Sequence, residues 1–274
     1  MSSKSWLNDY FKRLDENIQK NEILNERALS ATVELPLSGW GRSKSLLQAM
    51  EYDKNNVQHQ YPIRVGTSKP RVDFMLGKDL NRWMLDLKKP GDLCNRSKYV
   101  EQLQSYLSQE KVALGVLFNG TRAAAYVNPE HQFVIDICSK ITEEDKKVVP
   151  ELDLRKYPVK EAGVSGNIHE LVQFFRLLRC NGTLPDIKSL SQQLSQEYIR
   201  NLRRTAAKEA RREQIRKELL EIMRNPNQHV IQSIIGFSNV LKDLRAKPEE
   251  LLDIWPQEFF TVETSKKEET RYKE

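Results

Sequence analysis

Four short apolar runs, at residues 71–76, 83–88, 112–118 and 123–127, constrain this chain more than any other feature. Each is of strand length and is bounded by turn-forming residues: Gly77 after the first, Pro90 and Gly91 after the second, Asn119 and Gly120 after the third. The Asn-Gly step is a hairpin signal, because both residues accept the positive φ of a type I′ turn. Between the second and third runs, residues 94–109 read as a helix with Tyr99, Leu103, Tyr106 and Leu107 near one face. Strands joined by short turns pair antiparallel, whereas strands separated by a helix can run parallel. The pattern predicts an α/β fold with a mixed sheet and one crossover helix. Two further strands are expected, one beginning near Tyr61 and one over residues 133–137.

The flanks read as helical. Leu7, Phe11, Leu14 and Ile18 recur at helical spacing, and a second series runs through Leu24, Ala28, Leu29 and Val33 before Pro36 and Gly39 interrupt it. Together they predict helix over residues 4–37. The polar stretch 55–60, which contains His59, reads as a loop. Prolines, glycines and a charged run mark 141–166 as a linker between a core at 1–140 and a helical extension at 167–264, with a frayed tail at 265–274. Within that extension, helices are expected at 167–180, 186–224 and 228–245. Hydrophobic residues are 39% and charged residues 30% of the chain, and no window approaches a transmembrane length of apolar residues. Cys94, Cys138 and Cys180 are odd in number and widely spaced, and His59, His131, His169 and His229 are scattered. Neither set has zinc-ligand spacing, and a reduced, cytoplasmic protein without a secretion signal is expected.

Three charged residues stand where the pattern calls for apolar ones. Asp73 lies inside the first run, and Asp86 and Lys88 lie two apart in the second, on one face of the strand. A buried carboxylate is costly unless a cation compensates it. Antiparallel pairing would bring Asp73 and Asp86 together, offering hard oxygen ligands to magnesium, with the Leu87 carbonyl as a third donor. Such a site suits phosphodiester hydrolysis, with Lys88 orienting or deprotonating water or offsetting developing charge. The Asp-x-Lys pattern alone is cheap. It recurs at Asp145 and Asp186, in charged or helix-start settings, and a surface ion pair on an edge strand would give the same letters.

The neighbouring segments add specificity. Pro70 to Asp73, then Asp86, Leu87, Lys88, Lys89, Pro90 and Gly91, then Gln102 and Tyr106, then Asn119 and Gly120 follow in an order that resembles the N-terminal nuclease domain of type I restriction enzyme R subunits, a PD-(D/E)XK family. Upstream, Glu26 with Val33, Pro36, Leu37, Gly39 and Trp40 looks like the family's opening helix. The resemblance covers roughly residues 20–137. It implies a restriction-endonuclease-like core, with Asp73, Asp86, the Leu87 carbonyl and Glu26 binding Mg2+ (or Mn2+), Lys88 catalytic, and Gln102 and Tyr106 beside the site. Glu22 and Glu34 are alternatives to Glu26. Aspartate at 86 departs from the glutamate of many relatives and shortens the reach by one methylene. The implied activity is a metal-dependent DNA endonuclease leaving 5′-phosphates, in restriction or defence. The chain has no Gly-x-x-x-x-Gly-Lys-Ser/Thr loop, so no motor is encoded, and a motor or specificity subunit would act in trans.

The formal net charge of +6 favours polyanion partners. Arg203, Arg204, Lys208, Arg211 and Arg212 lie on the long predicted helix and would follow DNA phosphates, unless they simply form a solvated face. Self-association through Leu190, Leu194, Ile199 and Leu202 is a further expectation for this extension. The competing reading of the whole chain is a nuclease fold that has lost turnover and serves as a DNA-binding or scaffold module.

Overall fold

The computed structural model describes residues 4–34, 44–63, 70–128, 130–148, 156–163 and 168–224. The chain divides into two compact units, residues 1–201 and 202–274.

The first unit is built on a six-stranded mixed sheet in the order β1 to β6, each strand beside its neighbour in sequence. The strands are β1 (Val57–Pro62), β2 (Arg71–Leu76), β3 (Trp83–Leu87), β4 (Leu114–Phe118), β5 (Ala123–Val127) and β6 (Lys160–Ala162). All pairs are antiparallel except β3 with β4, which are parallel and are joined through a crossover helix. The expected α/β core with a mixed sheet is therefore present. Every residue of β3, β4 and β5 is buried, which explains why these strands read as continuous apolar runs rather than alternating ones.

The helices are α1 (Lys4–Gln19), α2 (Glu26–Val33), α3 (Leu46–Ala49), α4 (Ser97–Glu110), α5 (Gln132–Cys138), α6 (Glu143–Val148), α7 (Ile168–Leu177) and α8 (Ile187–Arg224). They separate the sheet's two faces into two apolar layers. On one face Met75, Met84, Leu117 and Tyr126 pack with Val100, Leu103, Tyr106 and Leu107 of α4. On the other, Phe74, Leu85, Val116 and Phe118 pack with Leu7, Phe11 and Leu14 of α1, Leu29 of α2, Leu46 and Leu47 of α3, and Phe175 of α7. Gly115 permits the first layer: a Cβ there would lie 2.8 Å from the Leu103 side chain, so α4 could not seat so closely on β4.

Several expectations need correction. The helix expected over 4–37 is two helices, because Asn21 turns the chain with φ of 58° and the Asn25 side chain then caps α2 by accepting from the Ala28 N–H. Residues 35–43 lie outside the described set. The stretch 55–60 is not simply a loop, since Val57–Pro62 is the sheet's edge strand. Its residues are mostly exposed, so no apolar alternation announced it. Residues 133–137 form helix α5 instead of a strand: Phe133, Val134 and Ile137 are its buried positions, a helical spacing. The expected linker 141–166 holds α6 and β6, whose residues pair with β5. Helix α7, expected to belong to a separate extension, packs its Phe175 ring 5.4 Å from that of Phe11 and 5.2 Å from that of Phe118. The third helix expected at 228–245 and the tail at 265–274 lie outside the described residues.

In the second unit the described residues are the C-terminal stretch of α8. Arg203, Arg204, Lys208 and Arg211 are exposed, and Arg212 is half-buried with Nη1 3.2 Å from Glu209. No described helix is long and apolar enough to cross a membrane.

Candidate active site

The β2–β3 register, with Phe74 opposite Leu85 and Met75 opposite Met84, carries one step further to place Asp73 opposite Asp86. Both side chains therefore project from the face that α4 covers, as does Lys88 two residues beyond Asp86. The three charges sit at the margin of an apolar layer, and all are buried: Asp86 is 3% and Lys88 6% exposed. The alternative of a surface ion pair on an edge strand is thereby ruled out, since β3 is an interior strand between β2 and β4.

Each charge has defined partners. Asp73 Oδ2 accepts the Leu87 backbone N–H at 2.7 Å, and Asp73 Oδ1 accepts the Gln60 side-chain amide at 2.9 Å. Lys88 Nζ lies 2.7 Å from Asp86 Oδ2. That contact is a buried, charge-assisted ion pair and the chief compensation of the Asp86 carboxylate. Lys88 Nζ also lies 4.9 Å from the centre of the Tyr99 ring. The Lys88 backbone N–H donates to the Phe118 carbonyl, which fixes the end of β3 against β4.

Burial dominates the electrostatics. It raises the Asp86 pKa; Lys88 opposes that rise and Asp73 adds to it, and the carboxyl stands well above the usual carboxylate range. Burial pulls the Lys88 pKa down, but Asp86, Glu26 and Asp73 more than offset it, so the ammonium is held protonated. Glu26 is in the first turn of α2, and its pKa is raised by burial first and then by Asp73, with Lys88 opposing. Of the three glutamates weighed from sequence, Glu26 has its charge coupled to Asp73 and Lys88. Glu34 is engaged elsewhere, accepting from Ser30 at 2.7 Å and lying 3.1 Å from His59.

Gln102 and Tyr106 are bonded to each other on α4, the amide donating to the phenol oxygen at 2.6 Å, with Tyr106 buried in the α4 layer. The Asn119-Gly120 step is the β4–β5 hairpin, and Gly120 adopts φ of 93°. Asn119 does more than turn the chain. Its Oδ1 accepts the Thr121 and Arg122 N–H groups, and its Nδ2 donates to the Asp92 carbonyl at 2.5 Å, tying the loop after β3 to the hairpin.

Sequence reasoning missed Gln60, Asp92 and Tyr99. Asp92 Oδ2 accepts the Tyr99 hydroxyl at 2.6 Å, and this bond is the main cause of a raised Tyr99 pKa. Tyr99 was legible as part of the helix stripe that includes Leu103 and Tyr106, but nothing marked its ring as a wall beside Lys88. Gln60 sits in a polar stretch with no apolar periodicity.

Among the described residues, no group of three or more histidine, cysteine or carboxylate side chains is gathered as a ready metal cluster. The donor set nevertheless fits a hard cation: two buried carboxylates on paired strands, each raising the cost of the other's charge, with Glu26 electrostatically coupled to Asp73.

No curated protein and no solved structure matches the chain. Residues 43–137 match the family model described as the Type I restriction enzyme R protein N terminus. That stretch runs from just before α3 into α5 and carries Asp73, Asp86, Lys88, Gln102 and Tyr106, whereas Glu26 precedes it. The part of the chain that holds the charged site is therefore similar to the N-terminal, nuclease-like domain of type I restriction R proteins.

Proposed function

We propose that the chain is a divalent-metal-dependent DNA endonuclease, hydrolysing phosphodiester bonds at Asp73, Asp86 and Lys88 in a restriction or defence setting. The observation that carries this reading is the burial of Asp86 beside Asp73 on paired strands, with Lys88 as its ion-pair partner. Asp73, Asp86, the Leu87 carbonyl and Glu26 would hold Mg2+ or Mn2+. The bound cation would supply Lewis acidity toward a phosphate oxygen and toward water.

The chain's own groups do the rest. Lys88, held as a cation by its carboxylate neighbours, is suited to offset charge on the phosphate rather than to take a proton. Tyr99 and Asp86 fix where that ammonium sits. The Leu87 N–H fixes one oxygen of Asp73 to the backbone of β3, so the two acidic strands cannot separate without losing a charge-assisted hydrogen bond. Arg203, Arg204, Lys208, Arg211 and Arg212 would contact DNA phosphates.

The test is cleavage of plasmid and single-stranded DNA in Mg2+, Mn2+ or EDTA, with Lys88→Ala beside the parent. Metal-dependent cutting that is lost in the variant supports the assignment. Equal cutting by both proteins sinks it, and saturable DNA binding without cutting in any metal favours the non-catalytic module.

A further inference from the structure

Gln60 carries a backbone conformation that its chemistry does not favour. It lies in mid-strand with φ of 51°, in the left-handed region that a long side chain rarely adopts. On either side the ladder is regular, with His59 opposite Phe74 and Tyr61 opposite Val72, so Gln60 falls opposite Asp73. Its amide donates to Asp73 Oδ1 at 2.9 Å. Strain of this kind persists only where the surroundings impose it, and it gathers at functional sites.

Resting on the metal-site reading above, we propose that Gln60 is a positioning residue, which fixes the Asp73 carboxylate for a divalent cation. The carboxylate is gripped from both sides. The Leu87 N–H of β3 holds Oδ2, and the Gln60 amide of edge strand β1 holds Oδ1. Each carboxylate oxygen has two lone pairs, so Oδ1 can accept the amide and still face a cation. With both oxygens anchored, the carboxylate plane cannot rotate, and the cation meets a donor already set in place. Partners that orient metal ligands in this way are worth about 10–100-fold in metal affinity.

Gln60→Asn separates this role from a merely conformational one. Asparagine tolerates the left-handed region at least as well as glutamine but is one methylene too short to keep the amide on Oδ1. Mn2+ binding to the full chain would be measured by calorimetry for the parent, Gln60→Asn and Asp73→Asn, with the kcat and KM for DNA measured in parallel. The expected result is Mn2+ binding weakened about 10–100-fold in Gln60→Asn, with the KM for DNA at saturating metal unchanged. Gln60→Asn that binds Mn2+ like the parent, while Asp73→Asn does not, overturns the role given to Gln60 and leaves the metal site standing. A parent that binds no Mn2+ overturns the metal site and this inference with it.

Discussion

Lys88→Ala would leave Asp86 buried without its cation, and the size of the loss is expected to depend on pH in a defined way. Removing one partner of a buried ion pair costs about 3–5 kcal/mol when the other must stay charged. Asp86 has an escape, because it can take up a proton. Its pKa is already raised by burial with the ammonium in place 2.7 Å away, and without Lys88 it rises further. A folded-state pKa above the unfolded value means the native state holds a proton that the unfolded chain, with a carboxyl pKa near about 3.9, has released. The stability that proton contributes is full below the unfolded pKa and is lost as pH rises through the folded pKa. In the parent that decline ends earlier. In Lys88→Ala it continues to higher pH, adding up to about 1.4 kcal/mol of difference per pH unit. Urea unfolding of both full-length proteins in EDTA at pH 6 and pH 8.5, followed by far-UV circular dichroism and by the fluorescence of the fully buried Trp83, measures this. The expected gap between parent and variant is small at pH 6 and grows to about 2 kcal/mol at pH 8.5, about one and a half pH units above the Asp86 pKa of about 7, and Lys88→Met should behave like Lys88→Ala. A gap below about 0.5 kcal/mol at pH 8.5, or one equal at both pH values, would refute the claim that Asp86 depends on Lys88.

Gly115→Ala should destabilise by about 1–3 kcal/mol, because the new methyl would meet the Leu103 side chain at 2.8 Å and lift α4 from β4; an unchanged midpoint in denaturant would show that α4 seats differently. A chain ended after residue 140 should fail to give a soluble folded protein. It lacks β6, the partner of β5, and Phe175, which packs on Phe11 and Phe118; a cooperative thermal transition in that fragment would show that the core closes without them.

What the sequence revealed and what it concealed follow from which face each residue serves. Strands β2 to β5 were legible because both their faces are buried, so composition alone announced them. Asp73, Asp86 and Lys88 stood out for the same reason, as charges in apolar company. Edge strand β1 gave no such contrast: its exposed amides look like loop, and Gln60 was hidden with it. Strand β6 was hidden by brevity, three residues in a proline- and glycine-marked stretch. The helix over 132–138 reads as a strand in the sequence because a short apolar run carries no decisive period until its buried positions are known. Glu26 could not be separated from Glu22 and Glu34 by letters, since only the cap at Asn25 sets which of them starts the helix beside β3.

The sheet follows the order of the chain strand by strand, and this bears on how the molecule assembles. Closing a loop costs entropy that grows with its length, so pairings across short turns are favoured to form before those across long ones. The hairpins β2–β3 and β4–β5 are the cheapest closures in the sheet, whereas β3–β4 waits on a crossover and β5–β6 on a stretch of more than thirty residues. Asp73 and Asp86 both belong to the first of these hairpins, so early closure would let two like charges meet while the rest of the core is still open to water. Water screens their repulsion at that stage, and Lys88 arrives on the same strand as Asp86. On that order of closure, the charges would be matched before α4 seals the face. A carboxylate pair supplied by strands that meet late would instead have had to shed its hydration and its repulsion in the final, least tolerant step of folding.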